Sequence, residues 1–339
     1  MPYDEFLGEL LARHFGSDAL PRLYRGLEVI SRGIGTAVSI DAFIDRFRES
    51  DAIATLGKLL IALEIADAER NCIMHPATVA DQRFISTPQT ADDTWIGSFS
   101  RILLDGVTHL DEIGKDITII CFNYDRCIEY YLTETISAAY NVDLASAEEV
   151  VGRLNIIHPY GTLGALPTVA QAEGYGVLPF GAELSSDIDW IGIANENIRT
   201  YTEQQHEPTT IKRIHDAIAH AASMVFLGFG FNNQNLDLMR VSHIHEYGHI
   251  RERNIYSSGV GISPEVETTI TRRILHLLWD MGPWHKNNDG RTHVEYGQTC
   301  SALFNIHSMN FSSFTRSFFQ EVPGQMRSVR MVVGTDTPE

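Results

Sequence analysis

The stretch Asp116-Ile-Thr-Ile-Ile-Cys-Phe-Asn123-Tyr-Asp125 carries an apolar run straight into a cluster of hydrogen-bonding residues. A strand buried on both faces reads this way, because its side chains alternate between faces and neither face is wet. Two later stretches repeat the pattern, Asn155-Ile-Ile-His158-Pro-Tyr160-Gly161 and Met224-Val-Phe-Leu-Gly228-Phe-Gly230-Phe-Asn232. Residues 126–140, 208–222 and a segment from about 234 have helical character, and a short strand is expected near Ile255-Tyr256. Apolar strands alternating with helices predict an α/β fold with a doubly wound parallel sheet. In open sheets of this kind, ligands bind in the crevice beyond the strand carboxyl ends. The three polar strand ends therefore define a candidate nucleotide site.

The first hundred or so residues read as mostly helical. Segments 3–16, 18–31, 54–70 and 94–113 have helical character; Phe6, Leu7, Leu10 and Leu11 make one apolar face. Ser39 is placed to cap a helix starting at Ile40. The segment 159–182 is too rich in glycine and proline for regular structure, 283–300 reads as an exposed loop, and the last dozen residues read as a tail.

Composition narrows the function. The 339 residues are 44% hydrophobic and 21% charged, as in an ordinary globular protein, and can bury a substantial core. A net charge of −18 argues against a chain whose main task is gripping nucleic-acid phosphates. No apolar run reaches the roughly 18 residues of a membrane span. The acidic start Met1-Pro-Tyr-Asp-Glu-Phe does not read as a signal peptide, and none is expected. Cys72, Cys121, Cys127 and Cys300 are scattered without a Cys-x-x-Cys pair, which supports neither a zinc ribbon nor a disulfide framework. A cytoplasmic location and no bound metal are the expectations.

Each strand end carries its own chemistry. The Asn123 amide can donate and accept at once, so it can fix a ribose hydroxyl or a water. Asp125 could reach a ligand hydroxyl, but its placement suits capping the following helix better. His158 has the residue type of a general base near neutral pH, although a lone histidine is more often structural. Gly228-Phe229-Gly230-Phe231-Asn232 opens a turn whose glycines would let backbone amides approach a phosphate, with Asn232 and Asn235 binding a ligand or capping the next helix. A lone Gly-x-Gly is equally consistent with a plain tight turn.

Together, Asn123-Tyr124-Asp125, the region of Gly161, and Gly228 through Leu236 resemble the sirtuin-like family, in particular its bacterial branch of NAD-consuming antiphage proteins. Ser39-Ile-Asp-Ala-Phe43 is similar to the helix start of that branch's helical insertion. The resemblance implies a Rossmann-like parallel sheet over residues 1–265, with a helical insertion near 36–110 and a C-terminal extension from 266 to 339. It also implies NAD glycohydrolase activity, with Asn123 and His158 breaking the nicotinamide–ribose bond. Asp125, Tyr160, Gly161, Gly228, Phe229, Gly230, Phe231, Asn232 and Asn235 would then line the dinucleotide. Self-assembly or a defence partner would supply activation. Without paired cysteines a deacylase is disfavoured. Two departures stand out. The family opens with a strand and a Gly-Ala-Gly-x-Ser loop, whereas Met1-Pro-Tyr3 resembles the helix after it. Gly33-Ile-Gly35 is a poor substitute, since residues 18–31 read as helix. The family's base also sits immediately before the glycine, where this chain has Tyr160; His158 lies two residues earlier, on the same side of an ideal strand. The alternative is a catalytically inactive NAD- or ADP-ribose-binding or assembly module.

A rival motif is His245-Glu246-Tyr-Gly-His249, a literal His-Glu-x-x-His of the zinc peptidases. Gly248 weakens the helix it needs, Arg251 charges a flank that is normally apolar, and only Glu265 and Glu267 are at hand as a third ligand. The chain's 14 histidines make a chance match easy.

Overall fold

The computed structural model describes residues 3–37, 39–47, 49–75, 91–167, 177–204, 207–241, 254–278, 292–311 and 328–333. The chain forms two compact units interleaved along the sequence. One comprises Met1–Pro88, Tyr124–Tyr130 and Tyr160–His206; the other comprises Gln89–Asn123, Tyr131–Pro159 and Glu207–Glu339.

The second unit holds a sheet of six strands: β1 (Thr118–Cys121), β2 (Asn155–Ile157), β3 (Ala221–Leu227), β4 (Asn254–Gly259), β5 (Thr292–Tyr296) and β6 (Ser328–Val333). Their spatial order is β2-β1-β6-β3-β4-β5, and every pairing is parallel. All four residues of β1 are buried, as are the last four of β3 and the last five of β4. Successive strand residues face opposite ways, so both faces of the sheet are covered. Helix Pro208–His220 packs on β2, β3 and β6, and helix Cys300–Ile306 packs on β4 and on helix Trp95–Leu104. The fold is therefore the expected α/β, Rossmann-like arrangement.

The helical unit is built on helices Tyr3–Phe15, Leu20–Gly33, Ile40–Arg46, Asp51–Asn71 and Trp190–Asn197. Ser39 caps as expected, its hydroxyl accepting from the Ala42 amide at 3.1 Å. At the centre lies an ion pair between Glu69 and Arg126, whose side chains are 0% and 2% exposed. The guanidinium donates to Glu69 from Nε at 3.0 Å and from Nη2 at 2.6 Å, and to the Leu178 carbonyl at 2.6 Å. Glu69 also accepts from the backbone amides of Arg126, at 2.9 Å, and Gly181, at 3.2 Å. Burying two charges is tolerable only when pairing and hydrogen bonds replace the lost water, and both groups are supplied here.

Two expectations are corrected. Residues 292–296, within the predicted loop, form β5, and residues 328–333, within the predicted tail, form β6. Among the described residues β5 pairs with β4 alone and is half-buried throughout, so its Thr-His-Val-Glu-Tyr sequence needs no continuous apolar run. β6 is short and contains Arg330, yet it bonds along its length to β3 and along its second half to β1. Residue 265 is consequently no boundary of the sheet, because β5 and β6 both lie beyond it. The predicted insertion at 36–110 is likewise divided, with helix Trp95–Leu104 in the sheet unit. Among the described residues no helix is long and apolar enough to cross a membrane.

Removing one partner of a buried pair strands the other's charge, at a cost of about 3–5 kcal/mol. Glu69→Ala should therefore lower the denaturant midpoint sharply. Glu28→Ala, which breaks the exposed Glu28–Arg32 pair, should change stability by no more than about 0.5 kcal/mol. Chemical denaturation followed by circular dichroism measures both.

Candidate functional site

In the sheet unit the chain runs outward from β1 to β2 on one side and from β3 through β4 to β5 on the other. The reversal brackets β6, and such a switch point is where open α/β sheets leave a ligand crevice. Asn123 lies two residues beyond β1 and Gly228 immediately beyond β3, the two strands flanking β6. β1 and β3 are thus not direct neighbours, because β6 lies between them.

His158 follows β2 directly, and its Nδ1 lies 3.0 Å from the Asn123 carbonyl. A carbonyl can only accept, so this bond puts the proton on Nδ1 and leaves Nε2 as the basic nitrogen. The sequence-predicted pair is thereby joined, and the tautomer is the one a general base requires. Phe122 reaches from the end of β1 to Phe229, with ring centroids 5.6 Å apart, and so links the β1 and β3 ends.

The turn after β3 departs from its predicted role. Phe229 and Phe231 are buried and pack edge-to-face at 5.1 Å, with Phe226 against both. They plug the core rather than offering faces to a ligand. Gly228 adopts φ +54° and Phe231 φ +53°, a left-handed conformation that is rare for a bulky residue. The Gly228 amide donates to the Ser258 hydroxyl at 2.8 Å, and Arg273 donates to the Phe231 carbonyl at 2.6 Å. Asn232 caps helix Asn233–Met239, accepting from the Gln234 amide at 2.9 Å, while Asn235 is buried inside that helix. Gly230 completes the turn and is exposed.

Asp125, Tyr160 and Gly161 belong to the helical unit. Asp125 caps helix Cys127–Tyr140 through the Cys127 amide at 3.1 Å. Tyr160 is buried with its ring 6.2 Å from that of Tyr124. The expectation that His158 and Tyr160 share one side of a strand fails, because β2 stops at Ile157 and the chain turns at Pro159-Tyr160. Gly161 holds φ +80°, and an added Cβ would run into the Asn197 carbonyl, so its glycine is explained by close backbone packing.

Sequence reading missed Ser257 and Ser258, buried polar residues at the end of β4. The signal was present, since Ile255-Tyr-Ser-Ser-Gly259 repeats the apolar-to-polar transition of the other strand ends. Arg273 was also missed; it reaches the β3 turn across 42 positions of sequence. His245, Glu246 and His249 lie outside the described residues. Among the described residues no group of three or more His, Cys, Asp or Glu side chains is arranged to hold a metal ion.

Residues 117–272 match the family model of the SIR2-like domain. The matched segment runs from β1 through β4 and contains Asn123, His158 and the Gly228 turn, and it supports a sirtuin-like family for this part of the chain. No curated protein and no solved structure matches the chain.

The packing reading of Gly161 has a direct test. Gly16→Ala, at φ +80° with open space around the new methyl, should cost only the left-handed term of about 1–2 kcal/mol. Gly161→Ala should cost distinctly more in the same thermal melts. Equal losses would return Gly161 to the list of ligand-contacting residues.

Proposed function

We propose that this protein is an NAD glycohydrolase of the sirtuin-like type, cleaving the bond between nicotinamide and ribose. The observation that carries this reading is the bond between His158 Nδ1 and the Asn123 carbonyl at the sheet's switch point. The SIR2-like match over the same strands supports a role acting on NAD.

The residues divide the chemistry simply. Asn123 orients the ribose or the attacking water through its amide. His158 Nε2 takes a proton from that water as its oxygen bonds to the anomeric carbon. The C–N bond breaks with its electron pair moving to the pyridinium nitrogen, so nicotinamide leaves neutral. Positive charge develops on the ribose in between, and dipoles fixed at the strand ends stabilise it without reorganising. The products are nicotinamide, ADP-ribose and a proton. The wider reading is cytoplasmic antiphage defence, with activation through self-assembly or a partner protein.

One observation favours a second reading, a module that binds NAD or ADP-ribose without turning it over. Tyr160 stands where the resemblance places the base, and it is buried against Tyr124. Nicotinamide release by purified protein separates the two. The glycohydrolase reading expects release, reduced about 10²–10⁴-fold by His158→Ala and comparably by Asn123→Ala, with melting curves unchanged. Nucleotide binding with no release in any activating condition supports the second reading. Release untouched by both substitutions removes Asn123 and His158 from the mechanism.

A further inference from the structure

Helix Asn233–Met239 presents one row of side chains to a cavity: Asn233, Leu236, Asp237 and, just past its end, Arg240. Positions spaced i, i+3, i+4 and i+7 share a helix side. Helix Glu267–Leu275 repeats the spacing with Thr269, Arg272 and Arg273, and His276 continues the row. The other sides of both helices are buried, through Leu238 and Met239 on the first and Ile270 and Ile274 on the second. The two rows enclose about 320 Å³, whose apolar part is the buried Leu236 and Leu277. Both ends of the cleft are tied. Arg273 donates to the Phe231 carbonyl at 2.6 Å where the chain enters the first helix, and the Val241 amide donates to the Leu277 carbonyl at 2.8 Å where it leaves.

The charge in this cavity runs against that of the chain. The protein carries −18 overall. Here the guanidinium groups of Arg240, Arg272 and Arg273 outnumber the one carboxylate, Asp237, and the excess is positive even with His276 neutral. Basic side chains at a helix end are ordinarily explained by the partial negative charge of its last carbonyls. That accounts for each arginine singly. It does not call for two helices to direct theirs into one hollow, where like charges repel. An anion in the hollow turns that repulsion into attraction.

We propose that this cavity binds a terminal diphosphate, either free or as the end of a nucleotide. A guanidinium pairs with phosphoryl oxygens through two parallel N–H donors. A terminal phosphoryl group offers three oxygens and about −1.5 to −2 charge at pH 7, and the phosphoryl group joined to it adds more. A diphosphate esterified at both ends, as in NAD and ADP-ribose, has less charge and fewer free oxygens. The cavity is therefore a second site, and it does not rest on the NAD reading, so either can fail alone. Its volume stands at the small end of the roughly 300–1,000 Å³ range of ligand pockets. That is room for a diphosphate, with part of a nucleoside against the two leucines. Because Arg273 lines the cavity and also holds the Phe231 carbonyl, a bound diphosphate stiffens the turn after β3.

Titration calorimetry of the full-length protein with inorganic pyrophosphate, ADP and ADP-ribose reads the site. Pyrophosphate should bind saturably, Arg240→Ala and Arg272→Ala should each weaken it about 10–100-fold, and Arg240→Glu should abolish it. ADP that binds more tightly than pyrophosphate, with the same loss in Arg240→Glu, makes a nucleotide the occupant; ADP that binds no more tightly makes it the free diphosphate. ADP-ribose binding should be indifferent to Arg240→Glu. On the unmodified protein, pyrophosphate should slow hydrogen exchange over residues 233–240 and 269–277, so a variant that fails to fold leaves the test intact. Absent pyrophosphate binding, binding that the arginine substitutions leave in place, or protection away from these two helices overturns the proposal. So does ADP-ribose binding that Arg240→Glu weakens as much as pyrophosphate binding.

Discussion

All six strands of the sheet run in the same direction. A parallel sheet sends every strand's carboxyl end to one edge, and with both faces buried that edge is where polar chemistry can be placed. Asn123, His158, Gly228 and Ser258 all lie at or just beyond strand ends of this kind. The hydrogen bond from His158 to the Asn123 carbonyl follows from the pairing of β1 with β2, whose register sets Ile120 opposite Ile157. Move that register by one residue and the imidazole would face the other side of the sheet.

Five consecutive residues after β1 show how closely separate tasks are spaced. The Asn123 carbonyl sets the histidine tautomer. Tyr124 packs on Tyr160, and Asp125 caps a helix. Arg126 neutralises Glu69 in the core of the helical unit, and the Cys127 amide opens the helix that Asp125 caps. The Asn-Tyr-Asp signature by which the resemblance is recognised is therefore a mixture. Its first residue bonds the His158 ring through its carbonyl, its second packs against Tyr160 and its third caps a helix. The buried Arg126 guanidinium also donates to the carbonyls of Leu178 and Pro179, which replaces part of the hydration it loses on burial.

Local signals carried much of this. The apolar runs of β1 and β3, the caps at Ser39 and Asp125, and the helices at both ends of β1 and β3 were legible because a strand buried on both faces, or a capped helix, leaves its mark within a few residues. The rest depended on distant partners. β6 has only six residues and one is Arg330, so its place between β1 and β3 follows from backbone bonds to strands far away in sequence. The Glu69–Arg126 pair joins positions 57 apart, and no spacing rule announces it. Phe229 and Phe231 misled for a different reason. Aromatics beside glycines suit a ligand face or a core plug equally well, and only the burial decides. Of the candidate site, Asn123 and His158 lie within hydrogen-bond reach of each other, while the ideal strand expected to carry His158 and Tyr160 on one side ends at Ile157.

The central claim is positional: a dinucleotide is held where the strand order reverses around β6. Hydrogen–deuterium exchange with and without ADP-ribose measures this most directly, since the ligand is the product and is not consumed. The account predicts slowed exchange confined to amides at the ends of β1, β2 and β3, around Asn123, His158 and Gly228. Protection centred elsewhere, such as on the cavity of about 320 Å³ lined by Arg240, Arg272 and Arg273, with those strand ends unchanged, would contradict it.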